Sequence, residues 1–152
     1  MLRDDQWKWS PDPARWSIGE IVEHLVLSEE SVGRVQKGFR KEEPMFHVIP
    51  RPLRRTLILG ALRRDVTLPL PSPDMEPCGN APRYELLSRW DLMRRNLRTI
   101  LNAQRDGERA YWHPVLGPLT PLQMLVLGQV HTAYHARQID SLQSTIGFPQ
   151  DC

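Results

Sequence analysis

The chain has 152 residues, 25% charged and 40% hydrophobic, which suits one domain with a core large enough to fold unaided. A formal charge of +2, with arginines scattered among acids, argues against a nucleic-acid partner. No apolar run approaches the roughly 20 residues that cross a bilayer, and the opening MLRDDQWKWSPDP lacks the apolar middle of a signal peptide. The two cysteines, Cys78 and Cys152, have no metal-motif spacing. A cytoplasmic protein with no membrane or nucleic-acid partner is the expectation.

In chain order, residues 1–15 read as an irregular leader closed by SPDPARW. A helix then opens at WSIGEIVEHL, where Ser17 and Glu20 form a capping box and Trp16 and Ile21 a hydrophobic staple. Ile18, Ile21, Val22, Leu25, Val32 and Val35 keep helical spacing to about Arg40. A shorter helix is expected over 52–64, then a proline-rich, ordered but irregular loop over 65–82. After Pro82 a third helix carries the stripe Leu86, Trp90, Met93, Leu97, Ile100 and Leu101, and stops near Gly107. The last helix repeats the grammar of the first, with Thr120 as N-cap, Pro121 next, Gln123 as return partner and Leu119 and Met124 as staple. It is expected to run to about Thr145. No strand signal competes, so residues 1–152 read as a single all-α domain, a helix bundle.

The last helix holds the sequence HTAYHARQ, which places His131 and His135 four residues apart. At about 100° per residue they share a face with Met124, Gly128, Ile139, Leu142 and Ile146. That face is apolar, so both rings point into the bundle, and Gly128 leaves open space beside His131. The spacing fits two ligands of one ion, but equally two hydrogen-bonded core histidines. His24, one turn after Glu20 on the first long helix, offers a third imidazole from a facing helix. Three histidines would leave a coordination position open, as catalytic sites do.

WSIGEIVEHL, HPVLGPLTPLQML and HTAYHARQI, in this order, resemble the DinB superfamily, which includes bacillithiol and mycothiol S-transferase-like proteins and presumed metal-dependent hydrolases. The resemblance spans residues 14–145. It implies a four-helix bundle that binds a divalent metal, usually zinc or nickel, through His24, His131 and His135. It further implies metal-activated attack by a low-molecular-weight thiol or by water on an electrophilic small molecule, as an S-transferase or a hydrolase. The alternative is a non-catalytic helical binding or stress-associated module with a structural metal or none.

The usual long N-terminal helix of that family is largely absent, since only residues 1–15 precede the WS segment. The helix at 52–64 could fill its place, a second subunit could supply packing in a homodimer, or the chain could begin late. Gln138 stands where the related iron-dependent sulfoxide synthases use an acid, which argues against oxidative chemistry.

Two further residues are catalytic candidates. Glu20 could orient His24 or serve only its cap, and Gln138, one turn beyond His135, could reach a bound water or substrate. Tyr134 reads as a surface residue, His113 as part of a proline turn and His47 as a loop residue. Trp7, Trp9 and Trp16 are expected to cover a core edge.

Overall fold

The computed structural model describes residues 2–35, 49–103, 111–113 and 115–150. Five α-helices are present among them: α1 (Asp4–Lys8), α2 (Ile18–Val35), α3 (Arg51–Arg63), α4 (Arg83–Ala103) and α5 (Pro121–Gln143). The all-α expectation holds, and α2 to α5 supply the four helices of the bundle. The expected end of the first long helix at Arg40, the stop at Gly107, His47 and Cys152 lie outside the described residues.

Both capping boxes form. The Ser17 N–H donates to Glu20 Oε2 at 2.8 Å, and the Glu20 N–H donates to Ser17 Oγ at 3.3 Å. At α5 the Thr120 N–H donates to Gln123 Oε1 at 3.1 Å and the Gln123 N–H to Thr120 Oγ1 at 3.3 Å. Each cap satisfies amides that have no partner inside the helix, worth roughly 0.5–2 kcal/mol.

Three details differ from the sequence reading. The leader contains one helical turn, α1, whose Trp7 is buried against α2. A two-stranded antiparallel hairpin, β1 (Tyr111–His113) with β2 (Gly117–Leu119), precedes α5. It leaves no strand-like pattern because each strand is three residues long and the turn is held by a side chain. Ile146 is fully exposed rather than on the inner face, since α5 ends at Gln143 and helical phase stops there.

The core has two parts. One gathers Trp7, Ile18, Ile21, Val22, Val26, Leu86, Leu142 and Phe148 around α1, α2, α4 and the end of α5. The other gathers Leu59, Leu62, Tyr111, Leu116, Leu119 and Met124 around α3, the hairpin and the start of α5. α2 is the common wall, touching α1, α4, α5, β1 and the 3₁₀ turn at Pro73–Met75. Ion pairs tie it to α4: Arg89 grips both oxygens of Glu30 at 3.0 and 2.9 Å, and Arg94 meets Glu29 at 2.6 Å.

Apart from the 3₁₀ turn, the 65–82 stretch is irregular but fastened to α2. The buried Glu23 accepts the Gly79 N–H at 2.7 Å and the Cys78 thiol at 3.1 Å. No helix among the described residues is long and apolar enough to cross a membrane.

Candidate metal centre

α2 and α5 bring His24, His131 and His135 together where the two halves of the core meet. One ligand atom from each lies within 4.8 Å of the other two. His131 Nε2 is 3.3 Å from His24 Nε2 and 3.0 Å from His135 Nε2. Three imidazoles bound tetrahedrally at 2.0–2.1 Å from zinc would place their nitrogens about 3.3 Å apart. The two separations that involve His131 are close to that value, as a shared divalent cation would require.

Proton positions support the same reading. His24 Nδ1 lies 2.8 Å from the Met75 carbonyl, which can only accept, so Nδ1 carries the proton. The Nε2 lone pair of the neutral ring then faces the cluster. His135 Nδ1 lies 2.7 Å from Gln138 Oε1, which accepts its proton in the same way. Such outer partners fix the tautomer and orientation of metal-binding histidines.

The rings are also held neutral, as metal ligands must be. Burial lowers His24, with the Met75 carbonyl opposing. Burial first, then the charges of His135, His24 and His113, push His131 down to about 3. Burial and the charge of His24 bring His135 to about 4, against the pull of Gln138. His24 and His135 are each only 3% exposed.

Trp16 covers one side of the cluster, with its ring 4.9 Å from His24 and 6.4 Å from His135. The other side opens into a cavity of about 1670 Å³. Ile58, Leu62, Leu68, Leu97, Met124 and Leu127 form much of its wall. Gly128 also lines it, and a Cβ built there meets nothing within 4 Å. The open space expected beside His131 is present.

The other candidates separate. Gln138 lines the cavity but spends its oxygen on His135. Glu20 caps α2, with its side chain beside Gly79, and lines a separate, smaller cavity. Tyr134 is buried, not on the surface, with its ring 4.9 Å from that of His135.

Sequence reading missed two residues on the cavity wall. Glu29 gives Oε1 to Arg94 while its buried Oε2 has no hydrogen-bond partner among the described residues. His113 does more than precede a turn, because its Nδ1 accepts the Val115 and Leu116 N–H groups at 3.1 and 3.2 Å. The H-P-x-x-G spacing was the available signal for His113. Glu29 had none, being one of several acids on α2.

The site can be set beside known proteins. The curated protein YuaE of Bacillus subtilis (strain 168), itself uncharacterized, is 24% identical over 147 residues, covering 95% of this chain and 88% of that protein. No solved structure matches significantly. The model of the DinB superfamily matches residues 1–139, across the capped α2, the hairpin and both histidines of α5. With its helical fold and three-histidine cluster in place, the chain belongs to the DinB superfamily.

Proposed function

We propose that the protein is a divalent-metal-dependent enzyme that promotes attack of a low-molecular-weight thiol, or of water, on a small electrophile. The observation that carries this reading is the convergence of three neutral imidazole Nε2 atoms at the edge of an open cavity. A structural site would be closed by a fourth protein ligand, and among the described residues no fourth histidine, cysteine or carboxylate joins the group. His24, His131 and His135 would hold the ion, and zinc and nickel are among the metals an all-imidazole donor set suits. When bound, it supplies a positive charge that lowers the pKa of a thiol or water beside it.

The chain's own groups shape the rest. The Met75 carbonyl and Gln138 keep the lone pairs of His24 and His135 aimed inward. Trp16 keeps water from one side of the rings. The apolar wall lowers the local dielectric, which strengthens every electrostatic interaction within. Glu29 also lines the cavity, held in place by Arg94.

The test is a screen of thiols, bacillithiol and mycothiol included, against chlorinated aromatics, epoxides and activated esters, with zinc- and nickel-supplied protein. Turnover above background that vanishes in His131→Ala/His135→Ala supports the reading. Rates equal to that variant's across the panel would reject it.

A further inference from the structure

We propose that His113 is a substrate-binding residue whose Nε2–H donates a hydrogen bond to an acceptor oxygen of the molecule held in the histidine cavity. The inference rests on the catalytic reading above and names the part of the substrate that the cavity recognises.

The argument begins with proton accounting. Two backbone N–H groups, those of Val115 and Leu116, converge on His113 Nδ1. A ring nitrogen that accepts an amide hydrogen cannot carry one, so the proton of the neutral ring is on Nε2. The hairpin turn thereby fixes the tautomer. Burial keeps the ring neutral, with its pKa brought down to about 4. Arg54 Nη1 donates to the Val115 carbonyl at 3.0 Å and holds the same turn from α3.

The turn alone has no use for a histidine. An asparagine or aspartate oxygen would accept the same two amides. What histidine adds is a second polar atom on the opposite edge of the ring. Nε2 has no hydrogen-bond partner among the described residues, and the side chain forms part of the wall of the cavity that His24, His131 and His135 line. A protonated His113 would also oppose a charge on His131, so the two rings share one electrostatic neighbourhood.

Much of the remaining wall is apolar. A donor that is neutral, tautomerically fixed and set in such a wall suits a carbonyl or similar oxygen on an otherwise apolar molecule. It costs no buried charge and gains strength from the low dielectric. It selects for substrates that carry an acceptor, because a bound molecule without one would strip water from the donor and leave it unpaired.

Two substitutions separate the two edges of the ring. His113→Asn keeps an acceptor for the amides and removes the donor at Nε2. His113→Gln reaches the Nε2 position with an amide donor and gives up the turn. The probe is acetohydroxamate, titrated against cobalt(II)-loaded protein and followed by the visible cobalt spectrum, with cobalt content and melting temperature measured on each variant.

The expected result is unchanged cobalt content throughout, with acetohydroxamate bound about 5–10-fold more weakly by His113→Asn at near-native melting temperature. His113→Gln should melt lower yet bind within about twofold of the native protein. Long-range proton–nitrogen NMR on metal-free protein should show His113 protonated on Nε2. Equal hydroxamate affinity in cobalt-loaded His113→Asn, or a proton on Nδ1, overturns this proposal alone. Native protein that takes up no cobalt overturns the metal reading, and this inference falls with it.

Discussion

Gly19 on α2 and Gly128 on α5 have opposite surroundings. A Cβ at Gly19 would sit 2.6 Å from Nε1 of the buried Trp7. A Cβ at Gly128 would meet nothing within 4 Å. The same residue type marks a tight contact in one place and a space in the other. On the Gly19 side, α1 packs against α2 and Trp7 joins the core of Ile18, Val22 and Leu86. On the Gly128 side the core stops short, and the gap is where three imidazoles face a cavity. Close packing builds the scaffold, and the interruption in packing makes the site.

Acid should expose the difference most. In the unfolded chain the imidazoles protonate near 6.5, whereas in the folded, metal-free chain His131 waits until about 3 and His113 and His135 until about 4. As pH falls the unfolded state takes up protons first, so stability is full above about 6.5 and drains from there toward 3. Melting temperatures of metal-free protein across that range should fall steeply, and more gently in His131→Ala/His135→Ala. Equal slopes would mean that the cluster is not held neutral by the fold.

The two glycines supply the next pair of effects. Gly19→Ala forces Trp7 to move and should destabilise by about 1–3 kcal/mol, read as a drop in melting temperature with metal content retained. Gly128→Ala adds a methyl group to open space inside a helix and should stabilise by about 0.5–1 kcal/mol. A destabilised Gly128→Ala would show that the space beside the histidines is filled in solution. The smallest effect is optical. Trp16 lies against His24 and His135, so nickel should quench a fraction of the tryptophan fluorescence that Trp16→Phe removes. Undiminished quenching in Trp16→Phe would place the ion elsewhere.

What was legible in the sequence follows from what repeats in it. Helical phase turned His131 and His135 inward, because a period of 3.6 needs only spacing. The S-x-x-E and T-x-x-Q boxes gave the starts of α2 and α5, because a cap is a local hydrogen bond between near neighbours. Phase also misled, at Ile146, where no signal showed that the helix had already ended. The hairpin was invisible because its turn depends on one imidazole reaching two amides, which no alternation of residues records. The partner that orients His24 is a backbone carbonyl 51 residues away, and a carbonyl has no residue type to read. Tyr134 was misplaced because it lies off the apolar stripe, yet it is buried in the core cluster with Leu59, Leu62 and Tyr111.

The central claim is that His24, His131 and His135 hold one divalent ion. Elemental analysis of protein produced with zinc and nickel supplied should find about one ion per chain in the native protein and none in His131→Ala/His135→Ala. Native protein with no more metal than that folded double variant would contradict the account.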